Sequence, residues 1–383
     1  MPKPAPLAWM QLWREKLRFF VAVAGVTFAV VLMLTQLGFR SALYNSAVRL
    51  HSHLEGELFL VSPQSSYLVS MKAFSRRRLY QSLALDGVAS GSPVYLMLPQ
   101  WQNPETGRNR NIYVIGYDPL QPALDMPDVK RFAEALKMPD TVLFDRTSRP
   151  EFGPVAELMS RGKTVTTEVN NRKVTVVGLF DLGTSFGIDG TLITSDLNFR
   201  RIYDRDPGLI DIGVIKLKAG AEIAGIQKRL IAMLPNDVEV LTKQQFMDRE
   251  IAYWATVTPI GFVFAFGAIM GFVVGTVIVY QILFADVADH LPEYATLKAM
   301  GYTNRFVFGV VLFEAVILSI CGFIPGTLIS MQLYRMTERS THLPMHMTAE
   351  RALFVLALTL AMCCISGMIA VRKVQSADPA EIF

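Results

Sequence analysis

The sequence predicts an α-helical membrane protein with four transmembrane helices plus a large extracytoplasmic α+β domain. Three observations predict it. Four apolar windows, Phe19–Phe39, Val257–Phe284, Phe306–Met331 and Ala352–Val371, each have the ~20 residues that cross a bilayer. Residues 40–256, between the first two windows, have ordinary soluble composition. A clearly polar stretch, Ala285–Arg305 (ADVADHLPEYATLKAMGYTNR), parts the second window from the third. The average alone would not decide the class. Hydrophobic residues are 51% of the chain, barely above the soluble range, and mean hydropathy is +0.33.

Residues 1–18 place Trp9, Leu12, Trp13, Lys16 and Leu17 at helical spacing. This fits an interfacial helix with Trp at headgroup level, or simply the cytoplasmic start of the first span. The apolar run of residues 19–39 outlasts a cleaved signal's apolar core of about 7–15 residues and has no clear A-x-A site, so it reads as an uncleaved anchor. Leu43, Val48, Leu50 and Leu54 carry the helical period on to about residue 54, as a stalk. His51 and His53 fall on opposite faces there and point to no site.

The outer domain takes residues 55–243. At its start, Glu57–Ser62 reads as a strand, Arg77–Leu85 as a helix and Ser92–Leu98 as a strand. At its end, Asp211–Leu217, Ala221–Leu234 and Asp237–Leu241 repeat the β-α-β order. Between them, residues 101–200 read as a mainly β insert. Its strands are Ile112–Tyr117, Thr141–Phe144, Thr164–Glu168 and Lys173–Phe180, with a hairpin turn at Asn170-Asn171. Residues 244–256 form a second stalk helix leading straight into the second span, 257–284.

In that span Gly267, Gly271 and Gly275 make a small-xxx-small face that lets another helix approach closely, within the subunit or across a dimer. The third span, 306–331, holds Glu314, roughly 16 Å beyond Thr303 at helical rise. A carboxylate costs several kcal/mol in hydrocarbon, so Glu314 marks either a structural polar contact or a transport role. Gly322, Pro325 and Gly326 predict a kink or break. A loop, 332–351, and a fourth span, 352–371, lead to the tail, 372–383.

Lys3, Arg14, Lys16 and Arg18, then Lys298 and Arg305, then Arg372 and Lys373 put both termini and the 285–305 stretch in the cytoplasm. The large domain and the 332–351 loop, despite Arg335, Arg339 and Arg351, then lie outside, in a plasma (inner) membrane protein. A net charge of +4 gives no reason for nucleic-acid binding. Cys321, Cys363 and Cys364 all lie in or at apolar windows, so no disulfide is expected outside.

Within these residues there is no G-x-x-x-x-G-K-[ST], H-E-x-x-H, G-x-S-x-G or paired-cysteine zinc spacing. His342 and His346 have Pro344 between them and read as solvated loop residues. No catalytic, metal or cofactor site is expected. Any ATP and magnesium would sit on another polypeptide.

EYATLKAMG, Glu293–Gly301, resembles the coupling segment of MacB-type, or FtsX-like, permeases of ABC systems, which usually reads E-x-x-x-L-R-A-x-G. LFEA at Leu312–Ala315 with Gly322 and Gly326 resembles their third span, and DPAEIF at Asp378–Phe383 their C-terminal end. PLAWMQLWREKLRFFVAVAG, SPQSSYLVSMKAFSRRRLYQ and VIVYQILFADVADHLPEYATLKAMGYTN look like the cyanobacterial DevC-type permeases, linked by family to export of heterocyst-envelope glycolipids. Lys298 stands where many relatives have Arg, and Pro292 where several have a charge.

The resemblance implies a MacB-like porter subdomain in the outer domain and a mechanotransmitting permease that works as a homodimer. It places coupling to a separate ABC ATPase on Glu293, Leu297, Lys298 and Gly301. It also implies a periplasmic membrane-fusion adaptor, an outer-membrane TolC-like channel and a lipid-like, possibly glycolipid, substrate exported through a tripartite efflux system. Two alternatives are an FtsX-like signal transmitter controlling a cell-wall hydrolase and a lipoprotein-releasing complex subunit. An intramembrane enzyme would have only Glu314 and the loop histidines behind it.

Overall fold

The computed structural model describes residues 16–293, 296 and 300–375. The helices, in order, begin with α1 (Lys16–Ala47), α2 (Arg49–His53), α3 (Arg77–Leu83) and α4 (Pro127–Arg131). Next come α5 (Val155–Ser160), α6 (Asp196–Tyr203), α7 (Ile223–Met233) and α8 (Lys243–Ala252). Then follow α9 (Pro259–Asp289), α10 (Asn304–Thr341) and α11 (Ala349–Gln375). The chain divides into a unit of long apolar helices, up to Ser41, 260–340 and from 345 on, and a second unit, 42–259 with 341–344.

The second unit is built on a sheet. Its strands begin β1 (Leu58–Val61), β2 (Phe74–Ser75), β3 (Val88–Met97), β4 (Gln100–Gln102), β5 (Asn109–Asn111), β6 (Tyr113–Tyr117) and β7 (Thr141–Asp145). They continue β8 (Val165–Val169), β9 (Arg172–Phe180), β10 (Thr191–Ser195), β11 (Leu209–Ile210), β12 (Ile212–Leu217) and β13 (Glu239–Thr242). One sheet runs β13-β1-β12-β3-β6-β10-β7-β9-β8-β4-β5, and β11 pairs with β2 beside it. Pairings are antiparallel except β6 with β10 and β7 with β9.

Successive strand residues point to opposite faces, and this sheet is covered on both. Leu58 and Leu60 join one buried cluster with Val114 and Leu192. Phe59 and Val61 join another with Tyr113, Ile115 and Ile193. That is why β1 and β6 read as near-continuous apolar runs, while β10 is buried on both faces despite Thr191, Thr194 and Ser195. The hairpin turn expected at Asn170-Asn171 joins β8 to β9, and its two residues take φ 51° and 61°, as primed two-residue turns require.

Residues 101–200 are mainly β, and their strands are part of the one sheet: β6, β10, β7, β9, β8 and β4 extend it outward from β3. The joining pair is β3 with β6, Val94 opposite Tyr117. Strand periodicity reports which face a residue occupies, not which distant strand it pairs with.

In the apolar unit, α1, α9, α10 and α11 are each long and apolar enough to cross a membrane. Small residues on α9 and α10 meet α1. A Cβ at Gly322 would sit 2.5 Å from Val26 Cβ, and one at Gly326 2.7 Å from Val30 Cγ1. Polar groups close locally or across helices, as hydrocarbon demands. Thr27 Oγ1 donates to the Gly322 carbonyl at 3.2 Å, and Ser366 Oγ to the Thr276 carbonyl at 2.8 Å. Helix α10 runs on through Pro325, so the chain does not break there.

The second stalk also differs from expectation. It does not lead straight into the second span: α8 ends at Ala252, a π turn covers Tyr253–Val257, and Thr258 is extended at φ −94°, ψ 146°. The cause is Pro259. Its ring disfavours α geometry at the preceding residue, while Pro itself suits the first helical position of α9.

Candidate functional site

Helix α9 ends in a polar stretch. Asp286 and His290 are buried, and the His290 N–H donates to the Asp286 carbonyl at 3.1 Å, continuing the helical pattern. Val287 packs with Val311 and Val371. The segment 286–289 therefore belongs to the end of the second span. Beyond it Leu291, Pro292 and Glu293 are helical, and Glu293 is exposed. Thr296 Oγ1 donates to the Pro292 carbonyl at 2.9 Å, and the Met300 N–H to the Thr296 carbonyl at 3.1 Å.

Gly301 then takes φ +91°, the left-handed region that ends many helices and that Gly enters freely. A Cβ built there meets no described atom within 4 Å, and Met300 beside it is 63% exposed. Of the four positions expected to couple, Glu293 and Gly301 are exposed, as are Thr296 and Met300 between them. Leu297 and Lys298 lie outside the described residues.

Glu314 is fully buried on α10, and its carboxyl faces that of Asp286 on α9. Neither Glu314 oxygen has a well-formed hydrogen bond among the described residues. His290 Nδ1 stands 3.6 Å from Asp286 Oδ1. Glu314 thus makes a polar contact with the end of the second span.

The glycine face of α9 is filled within its own unit. Gly267 abuts Gln36, Gly271 abuts Leu32 and Met33, and Gly275 abuts Ala29 and Met362. The opposite side of α9 is bare, with Phe262, Phe266, Ile269, Met270, Val273 and Val277 exposed.

Sequence reading missed a second polar cluster. His51, read as pointing to no site, is 1% exposed and packs edge-on against Phe246 with ring centres 4.3 Å apart. Glu250, on α8, is also buried; its Oε2 accepts the Leu68 N–H at 2.8 Å and its Oε1 the Trp254 indole N–H at 2.9 Å. Burial pushes the Glu250 carboxyl up to about 7, against the lowering pull of those two donors and of Arg249. Burial, helped by Lys243, pushes His51 down to about 3. The signal was present: Phe246, Glu250 and Trp254 recur every four residues, a carboxylate between two aromatics on one helix face.

Among the described residues no three His, Cys, Asp or Glu side chains gather to hold a metal. His346 Nδ1 instead lies 3.5 Å from Glu338 Oε1.

Comparisons with known proteins agree with this architecture. Residues 19–233 match the MacB-like periplasmic core domain, and residues 260–379 the FtsX-like permease C-terminal domain. The chain is 22% identical over 240 residues to an uncharacterised ABC transporter permease of Mycobacterium tuberculosis, found in strains CDC 1551 and H37Rv. That match covers 62% of this chain and 62% of the relative, so this chain spans less than two thirds of its length.

Among solved structures, the chain is similar to the periplasmic region of MacB from Actinobacillus actinomycetemcomitans. That match has 11% identity and TM-score 0.36, covering 52% of this chain and 94% of that one. It is also similar to the extracellular domain of the transporter YknZ from Gram-positive bacteria, with 12% identity and TM-score 0.34, covering 49% and 100%. The core-domain match spans more than half of the sequence, and the permease match takes in the other three spans. The chain belongs to the MacB/FtsX-type family of ABC transporter permeases.

Proposed function

We propose that this permease couples a separate ABC ATPase, seated on Glu293–Gly301, to export of a lipid-like substrate from the outer face of the plasma membrane. One observation carries the reading: Glu293, Thr296, Met300 and Gly301 are all exposed, and Gly301 takes the left-handed region with no described atom within 4 Å of a Cβ built there. They lie in the segment that resembles the family's coupling motif. ATP and its magnesium would stay on the ATPase.

Both termini then lie in the cytoplasm and the sheet unit outside. The length of α1, 32 residues, exceeds the ~20 that a bilayer needs and leaves turns to serve as a stalk. Two copies pair as a homodimer. The glycine face of α9 is already occupied, so the exposed side with Phe262, Phe266 and Ile269 supports pairing or lipid contact. A periplasmic adaptor and a TolC-like outer-membrane channel complete the path. The DevC-type resemblance makes a glycolipid the leading cargo.

Affinity capture of the tagged permease from native membranes, read by mass spectrometry, tests this. Recovery of an ABC ATPase together with a membrane-fusion adaptor supports export. An ATPase with a cell-wall hydrolase and no adaptor replaces export with signal transmission. An ATPase with a periplasmic lipoprotein carrier replaces it with lipoprotein release.

A further inference from the structure

The buried pair of His51 and Glu250 lies outside the machinery proposed above. His51 sits on α2, the short helix that follows α1, and Glu250 on α8, the helix that precedes the π turn before α9. Both belong to the same unit. A neutral imidazole carries one N–H and one lone pair, and buried polar atoms are nearly always paired. Yet among the described residues neither ring nitrogen of His51 has a hydrogen-bond partner. Its Nε2 stands 4.0 Å from Glu250 Oε2, about 1 Å beyond hydrogen-bond reach.

We propose that the two residues form a proton-operated latch: a proton taken up on Glu250 Oε2 is donated in a hydrogen bond to the bare Nε2 of His51, drawing α2 against α8. No bond to carbon changes; the proton comes from water and stays on the carboxyl oxygen.

The surroundings fit. A small cavity of about 10 Å³, the room of about one water, reaches Glu250 between Ser65, Tyr67, Met71 and Arg249. The charged neighbours are engaged elsewhere. Arg249 bonds to Glu239 and to the Ser65 carbonyl. Lys243 Nζ donates to the Ser52 and Leu54 carbonyls at 2.7 and 3.0 Å. Of the two phenols near Glu250, Tyr113 donates to the Leu68 carbonyl at 2.8 Å, and Tyr67 stacks on Tyr253 with ring centres 4.2 Å apart. With Glu250 titrating at about 7 and His51 at about 3, a window near pH 5–6 holds a neutral acid beside a neutral ring. That is the pairing an O–H···N bond requires. Such a latch closes when the surrounding medium turns acid and opens near neutrality.

Nitrogen-15 NMR of ¹⁵N-histidine-labelled full-length chain in nanodiscs tests it, with H51Q assigning the His51 signals among five histidines. Between pH 8.5 and 5.5 the Nε2 resonance of a neutral His51 ring should move to its hydrogen-bond-acceptor position, with a midpoint near 7. E250Q, whose amide donates at every pH, should hold the acid position throughout, and E250A should hold the alkaline one. A signal that does not move, that moves because the ring itself protonates, or that still moves in E250A overturns the latch.

Discussion

The Trp254 indole N–H donates to Glu250 Oε1 at 2.9 Å, from four residues further along the chain. The bond ties a buried carboxylate of α8 to the π turn that precedes Thr258 and Pro259. Glu250 thereby holds three segments: its own helix, the π turn and, through the Leu68 N–H, the loop after β1.

Glu250 makes stability depend on pH, with a definite sign. Its folded-state pKa is raised from 4.5 to about 7, so folding disfavours its ionised form. That penalty is full above about pH 7, shrinks as pH falls and is gone below about 4.5. Its ceiling is about 3 kcal/mol, from 1.36 kcal/mol per pK unit. His51 acts the other way: lowered from 6.5 to about 3, it takes stability away as pH falls through that range. E250Q should therefore raise the stability of the sheet unit at pH 8 and leave it unchanged at pH 4.5. Pulse proteolysis of the full chain across pH 4.5–8.5 measures this. A variant that loses stability equally at both ends refutes it.

Arg205 and Asp211 form a bidentate pair, both contacts 2.7 Å, at the edge of β12. Burial raises the Asp211 carboxyl, opposed by Arg205 and the Leu96 N–H, which it accepts at 2.8 Å. Removing one partner of such a pair leaves a buried charge, at a cost of about 3–5 kcal/mol. R205M should destabilise the sheet unit by that order, and R205M with D211N should recover most of the loss. A double variant no more stable than R205M would show that Arg205 matters through packing instead.

How much of this was legible in the sequence follows from what each signal measures. The four spans were plain because an apolar run of bilayer length has few other uses. Asn170-Asn171 was plain because two adjacent residues must take positive φ in that turn. The single sheet was not, because nothing in the local pattern of residues 101–200 says that Tyr117 faces Val94. The interrupted second stalk was legible, since Pro259 constrains Thr258, but the apolar residues around it suggested an unbroken helix. His51 was misread because a histidine between Leu50 and Leu54 shows its burial only once Phe246 covers it. The partner of Glu314 was hidden too: Asp286 looked like part of a solvent-facing stretch, and only the packing of α9 on α10 brings the two acids together.

At Gly322, α10 packs tightly against α1. A Cβ there would lie 2.5 Å from Val26 Cβ and 3.2 Å from the Thr27 backbone nitrogen, and neither is the free end of a flexible chain. G322V should push the helices apart, break the Thr27–Gly322 hydrogen bond and weaken packing by about 1–3 kcal/mol. Fluorescence-detected gel filtration after heating in detergent should show a lower aggregation temperature. The same change at exposed Met300 serves as the control and should leave it unchanged. Equal behaviour of the two variants would mean that the close approach contributes nothing.

Gly301 separates the coupling proposal from a merely structural role for its stretch. Its φ of +91° strains any other residue by about 1–2 kcal/mol, yet a Cβ there would meet no described atom within 4 Å. G301V should therefore leave the apolar unit folded and the protein monodisperse, while shifting the end of the Glu293–Gly301 segment. If that segment seats the ATPase, G301V and E293R should each reduce permease-stimulated ATP hydrolysis severalfold, and E293R should also reduce ATPase recovered on the tagged permease. G301N, which tolerates the left-handed region, should retain most of the activity. Reconstituted permease and ATPase in nanodiscs, assayed for phosphate release, give the readout. Full stimulation by both G301V and E293R would move the docking surface off this stretch and leave Glu293–Gly301 as a connecting turn.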